Sequence, residues 1–167
     1  MYASGEFLIT KPELLIPENG KKIYSINEGN FSKWDEPIQR AVTQFKDPSQ
    51  GYSLRYVGSM VSDIHRTLLY GGIFMYPADK KSKKGKLRVL YEGFPMAFVI
   101  EHAGGVASTG FFQGEIQRIL DLQPTSIHDR CPIVMGCRRD VDQVLACYNT
   151  PSSSDNDSHQ EEEGKEA

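Results

Sequence analysis

Long apolar runs are missing from this chain of 167 residues. None approaches the ~20 residues that a membrane-spanning helix requires, so no such helix is expected. No basic stretch leads into an apolar run with a small-residue cleavage site, and a secretory leader is not expected either. Cysteine is scarce: Cys131, Cys137 and Cys147 are too few for a disulfide scaffold and have no zinc-site partners at close spacing. Buried or idle thiols in a reducing compartment fit that usage. His65, His102 and His128 stand without partners at metal-ligand spacing, which assigns them structural roles. A glycine-rich phosphate loop, a nucleophile elbow and a His-Glu-x-x-His pair are all absent, which removes the enzyme classes that depend on them. There is no internal repeat.

What is present is a globular composition, with 39% hydrophobic and 25% charged residues. One domain of this size buries roughly two-thirds of its unfolded surface, enough for a core. The net charge of −3 hides a division. Asp155 to Ala167 hold six acids and one lysine, net −5, while the remainder holds 18 bases and 16 acids, net +2. A body so near neutrality does not read as a nucleic-acid binder. Residues 150–167 carry almost no apolar side chain and are expected to be a disordered acidic tail.

Periodicity gives an alternating series of strands and helices. Phe7-Leu8-Ile9 reads as a strand followed by a loop, and Lys22 to Asn27 as another strand. Asp35 caps a helix with Pro37 in its first turn, which Ile38, Val42 and Phe45 make one-sided and Pro48 stops. Arg55-Tyr56-Val57 is a short strand, and Ser59 opens a helix with Met60, Ile64 and Leu68 in register, flanked by Val61 and Leu69. Gly71-Gly72 ends it. Strands follow at Ile73 to Tyr76 and Leu87 to Tyr91, separated by a lysine-rich tip in a hairpin or a short excursion. A helix runs from Pro95 to Ala103, with short strands at Val106-Ala107 and Ile119 to Leu122, a strand at Pro132 to Gly136 and a last helix at Asp140 to Tyr148. The fold class is α/β: helices packed on a mixed β-sheet.

Four places could carry chemistry. In Arg55-Tyr56-Val57-Gly58-Ser59-Met60 a strand passes through a glycine into a helix start, where free N–H groups and a positive dipole end can hold an anion and Arg55 adds a forked donor. A cap with a surface arginine would read the same way. Lys80 to Arg88 place six bases in nine positions, as a solvated turn, a nucleic-acid patch or a localisation signal would. Lys86 and Arg88 stand at alternate positions entering an apolar strand and so share a face, with Glu92 beyond them as a metal ligand or a salt-bridge partner. Asn27-Glu28-Gly29 suits a tight turn, with the Asn27 amide free to donate to a ligand. Tyr76, ending a strand before Pro77, is amphipathic packing or a phosphate donor.

Taken together these stretches resemble the C-terminal half of fructose-1,6-bisphosphatase. The resemblance rests on Asn27-Glu28-Gly29, on Arg55 to Met60 with Asp63-x-His65-Arg66, and on Leu69-Tyr70-Gly71-Gly72 through Tyr76-Pro77. It continues in Gly85-Lys86-Leu87-Arg88 through Glu92, Glu101-x-Ala103-Gly104-Gly105 and Pro124-Thr125-x-Ile127-His128, and so spans roughly residues 5–148.

The resemblance implies hydrolysis of the 1-phosphate of fructose 1,6-bisphosphate to fructose 6-phosphate with Mg²⁺, in gluconeogenesis. It implies that Asn27, Tyr56 and Tyr76 hold the 6-phosphate, that Arg55 reaches the 6-phosphate of a neighbouring subunit in a homo-oligomer (a dimer of dimers), and that Lys86 contacts substrate. Ser59 and Met60 would line the sugar and Glu92 would be the metal ligand and catalytic carboxylate. Residues 1–20 are then the end of a truncated N-terminal domain, 21–149 the sugar-phosphate-binding domain and 150–167 the tail. The family's N-terminal half carries Asp-Pro-x-Asp-Gly, most metal carboxylates and the AMP site, none of which is in this chain, so little activity is expected from it alone. Asn30-Phe31 stands where the family often places a phosphate-binding tyrosine after Asn-Glu-Gly, and Phe31 has no hydroxyl, which implies the loss of one phosphate donor. Asn27-Glu28-Gly29-Asn30 with Trp34-Asp35 is similar to plant and plastid members, which implies a cytoplasmic or plastid protein. Sedoheptulose-1,7-bisphosphatase and a non-catalytic sugar-phosphate-binding half-protein are the other readings; no nucleic-acid or membrane partner is expected.

Overall fold

The structure is a computed structural model that describes residues 8–149. The chain runs β1 (Ile23–Ser25), α1 (Glu36–Lys46), β2 (Ser53–Leu54), α2 (Met60–Tyr70), β3 (Ile73–Tyr76) and β4 (Leu87–Arg88). It continues through α3 (Phe94–His102), β5 (Val106–Phe112), β6 (Glu115–Arg118), β7 (Arg130–Cys131), β8 (Ile133–Gly136) and α4 (Arg138–Ala146). Six strands form one sheet in the order β2-β1-β3-β8-β5-β6, and β4 pairs with β7 in a second. β1 is parallel to both β2 and β3, whereas β8 is antiparallel to β3 and β5. The sheet is therefore mixed, as the α/β reading requires.

Both faces of this sheet are covered, so its central strands are apolar at successive positions. Phe74, Ile133 and Met135 point to one side, where Ile64 and Leu68 of α2 and Ala97 and Ile100 of α3 meet them. Ile73, Met75 and Val134 point to the other, against Ile38, Val42 and Phe45 of α1 and Val141 and Val144 of α4. This is the period-two alternation of a strand, read by two cores instead of one. Asp35 caps α1 by accepting the Ile38 N–H at 3.2 Å, with Pro37 in the first turn, and the helix stops before Pro48. At the sheet centre Gly136 has φ of +154°, and a Cβ there would lie 2.3 Å from the Gly72 carbonyl oxygen.

Several expected elements differ. Leu8 and Ile9 are exposed and form no strand, and Phe7 lies outside the described residues. The strand expected at Arg55-Tyr56-Val57 sits earlier, at Ser53–Leu54. Its ladder ends because the Val57 and Gly58 N–H groups turn to the Asp63 carboxylate instead of a neighbouring strand. Val61, placed beside the buried stripe of α2, is exposed. The strand expected over Leu87 to Tyr91 lasts two residues, because a π-helical turn takes Val89–Gly93. Glu92 folds that turn back by accepting the Arg88 N–H at 2.7 Å. β3 and β4 lie in different sheets, so the lysine-rich tip is an excursion and not a hairpin. Val106-Ala107 is the start of a longer strand, and Ile119 to Leu122 is a 3-10 turn, the strand being Glu115–Arg118 just before it. α4 runs from Arg138 to Ala146, slightly ahead of its expected place. The acidic tail lies outside the described residues.

Candidate active site

Three parallel strands set the site. Because β1, β2 and β3 run the same way side by side, their carboxyl ends open at one end of the sheet, the usual place for a ligand in such sheets. Asn27 follows β1, Arg55 and Tyr56 follow β2, and Tyr76 closes β3.

Asn27 caps the 3-10 turn Glu28–Lys33: its side-chain oxygen accepts the Gly29 N–H at 3.2 Å. That leaves the exposed amide N–H₂ as a donor, joining the turn and ligand readings of this residue. The turn is braced by Glu28, which accepts from the Tyr24 hydroxyl at 2.7 Å and pairs with Lys46 at 2.8 Å. Phe31 packs edge-on to Trp34 with the Lys46 ammonium over its ring, so it serves the apolar support of the turn.

Tyr56 and Tyr76 are both half-buried against the core that α2 and α3 share. Burial raises the Tyr56 phenol above its ordinary range, and the neighbouring Tyr76 and Asp63 raise it further. It therefore stays a donor through neutral pH. The Lys86 ammonium lies 6.0 Å from the centre of the Tyr76 ring and 3.5 Å from an Asp79 carboxylate oxygen. Asp79 also accepts the N–H groups of Lys81 and Ser82 at 2.8 and 2.7 Å. Burial would raise its carboxyl, but those bonds and the Lys86 charge hold it below the usual carboxylate range. Lys86 is thus aimed by a fixed carboxylate beside Tyr76.

Ser59 and Met60 begin α2. Ser59 is exposed and makes no side-chain cap bond, while Met60 packs against the core cluster that also holds Tyr56 and Tyr76. The residues that organise this corner are Asp63 and Arg66, to which sequence reasoning gave no role. Asp63 is fully buried and accepts the Val57 N–H at 3.1 Å and the Gly58 N–H at 3.3 Å. Arg66 donates to Asp63 at 2.5 Å, to the Ser25 hydroxyl at 2.6 Å and to the Arg55 carbonyl at 2.8 Å. One guanidinium so ties the ends of β1 and β2 to α2. The available signal was their i, i+3 spacing on the α2 pattern. The Arg55 side chain is exposed and donates to the Leu54 carbonyl at 2.8 Å.

Glu92 stands apart from this group. Its carboxylate accepts the Arg88 N–H and lies 3.6 Å from the Arg88 guanidinium, the salt-bridge alternative of the sequence reading. Lys86 and Arg88, expected to share a sheet face, go to different partners, because the strand begins only at Leu87. Among the described residues no group of three histidine, cysteine or acidic side chains could hold a metal ion, so one carboxylate here does not by itself make a Mg²⁺ site. The thiols are all free and buried, and Cys131 lies close enough to feel the charge of Glu92.

The profile of the family described as fructose-1-6-bisphosphatase, C-terminal domain, matches residues 16–149. The cytosolic fructose-1,6-bisphosphatase of Oryza sativa subsp. indica is 56% identical over 147 residues, covering 86% of this chain and 42% of its own length. That of Beta vulgaris is 57% identical over 147 residues, covering 86% and 41%. The holo form of Leishmania major fructose-1,6-bisphosphatase superposes with a TM-score of 0.79 at 46% identity, covering 87% of this chain and 44% of that one. The same protein in its T-state gives 0.76. The chain therefore spans less than half the length of these relatives, and their names do not favour the sedoheptulose alternative.

Proposed function

The chain belongs to the fructose-1,6-bisphosphatase family through its C-terminal domain, and from that premise we propose that it forms the sugar-phosphate-binding part of a fructose-1,6-bisphosphatase. The observation that carries this is that Tyr56, Tyr76 and Lys86 neighbour one another, with Asn27 following β1, the parallel strand beside β3. An amide, two phenols and an ammonium are a donor set for a phosphate monoester on a neutral sugar. On this reading they hold the 6-phosphate of fructose 1,6-bisphosphate, and Ser59 and Met60 face the sugar.

The reaction is release of the 1-phosphate to water, a step within gluconeogenesis and, from the names of the plant relatives, in the cytosol. Mg²⁺ would neutralise the developing charge. Glu92 is proposed as one of its ligands, with the other carboxylates coming from outside the described residues. Arg55, exposed beside the site, is proposed to reach the 6-phosphate bound in an adjoining copy of a homo-oligomer. The domain division proposed is residues 1–20, 21–149 and 150–167.

Calorimetric titration of this chain with fructose 6-phosphate tests the reading. Saturable binding is expected, weakened about fivefold by Tyr76→Phe, the ~1 kcal/mol of one neutral hydrogen bond. Mg²⁺-dependent turnover of fructose 1,6-bisphosphate by this chain alone is expected to be absent. Failure to bind fructose 6-phosphate, or binding that ignores both Tyr76 and Lys86, overturns the assignment.

A further inference from the structure

The excursion between β3 and β4 is a built cationic surface that the sugar-phosphate reading uses only at Lys86. Asp79 fixes one end of the loop by accepting the N–H groups of Lys81 and Ser82. The Lys80 N–H is held by the Lys33 carbonyl at 3.0 Å. Gly85 fixes the other end: its φ is +75° and a Cβ there would lie 2.5 Å from the Cys131 carbonyl. Between these anchors Lys80, Lys81, Lys83 and Lys84 share with Lys86 and Arg130 a groove of about 470 Å³. The nearby acids are few and engaged. Asp79 pairs with Lys86, and Asp129 accepts from the Thr125 and Ser126 backbone while feeling the charge of Lys84. A fixed loop offering this many ammonium groups suits a run of carboxylates, not one phosphate.

The same chain carries such a run. Beyond Asn149 come Asp155, Asp157, Glu161, Glu162, Glu163 and Glu166 against one lysine. Tyr148 lies near enough to Asp35 for the two charges to act on each other, and Asp35 is two residues from Lys33, whose carbonyl holds Lys80. Those links keep the root of the segment within ~30 Å of the loop, while the 12 to 14 residues from Asn149 to Glu161–Glu163 can span ~40 Å or more. We propose that the acidic segment 155–166 docks on the lysine loop 80–84 of the same chain. The contact is between exposed charges and is screened within about 10 Å at 0.1 M salt, so it is strong only at low ionic strength.

Two measurements on the full chain test this. Carbodiimide coupling, which joins carboxylates to amines in contact, should connect Glu161–Glu163 chiefly to Lys81, Lys83 and Lys84 within one molecule, judged by mixing light and heavy-isotope protein. Titration with a fluorescent hexaglutamate peptide, in salt of about 20 mM, should give at least about fivefold tighter binding when Glu161, Glu162 and Glu163 are all changed to Gln, because the loop is uncovered. That gain should disappear when Lys81, Lys83 and Lys84 are also changed to Ser, and at about 0.5 M salt. Cross-links that fall mainly on other lysines or between molecules, or equal peptide binding with and without the glutamates, overturn the proposal. A single-stranded oligonucleotide that binds the loop equally well with and without the glutamates overturns it too, and shows an open polyanion site.

Discussion

Lys86 differs from the lysines just before it in its partners, not in its chemistry. Its ammonium is shared between the Asp79 carboxylate and the face of Tyr76, whereas Lys83 is an exposed residue of the excursion and Lys84 is exposed beside Asp129. A charge already held in place loses less freedom on meeting a phosphate than one swinging on a free stem. In an enzyme completed with the rest of the family's length, Lys86→Ala should weaken sugar-phosphate binding by about 1.5–3 kcal/mol, the scale of a charged hydrogen bond. Lys83→Ala and Lys84→Ala should each change it by less than about 0.5 kcal/mol. Inhibition constants for fructose 6-phosphate measure all three, and equal losses would replace the specific role of Lys86 with a diffuse field. At this scale the places of Asn27, Tyr56 and Tyr76 at or after strand ends were legible, while their proposed roles toward a phosphate came from the family resemblance. The braces behind them were not legible. Asp63, Arg66 and Asp79 act through backbone N–H groups and carbonyls brought near by tertiary folding, and no local pattern announces those partners.

Elements were legible where a local pattern decides them and illegible where a distant one does. α1 could be read from Asp35, Pro37 and its apolar face, since capping and amphipathicity lie within one helix's length. The β5–β6 hairpin could not. Its two-residue loop is Gln113-Gly114, both at positive φ, where the usual signal is Asn-Gly or Asp-Gly. β4 is shorter than its apolar run because the π-helical turn Val89–Gly93 follows at once: Val89 still donates to Asp129 beside β7, but the chain then coils and Glu92 folds back onto the Arg88 N–H. The centre of the sheet makes a prediction of its own. Gly136 faces Ile73 on β3 and Val106 on β5, so both neighbouring strands close on its backbone. Gly136→Ala combines left-handed strain with a Cβ driven into the Gly72 carbonyl, and should cost about 3 kcal/mol or more. Gly51 has a similar sign of φ but nothing within 4 Å of its absent Cβ, so Gly51→Ala should cost only the strain, about 1 kcal/mol. Urea midpoints separate the two, and equal losses would mean that strand packing at Gly136 is looser than the register implies.

At the scale of the whole molecule, two cores on one sheet bury ionisable groups that sequence reading treated as inert. Cys131 sits in one core and Cys147 in the other, and Cys137 is buried beside Gly72. Burial, with the charge of Glu92 added, pushes the Cys131 thiol from 9.0 up to about 12. Burial also raises Cys137 and Cys147, and it raises the phenols of Tyr24 and Tyr52. All of these shifts have one sign. The folded chain keeps protons that the unfolded chain releases, so the stability they represent is complete below pH ~9 and is lost as pH rises toward 12. For Cys131 alone the loss between pH 9 and 10 is about 1 kcal/mol, and the tyrosines steepen the decline above pH 10. Urea unfolding in the presence of a thiol reductant, at pH 7.5, 9 and 10, should therefore show falling stability over the last interval. Cys131→Ala should remove about 1 kcal/mol of that fall whatever it does to the absolute stability, because the titrating group is gone while the fold's other charges stay. A slope identical in the two proteins would show that the Cys131 thiol ionises as easily in the folded chain as in the unfolded one, and that its core admits water.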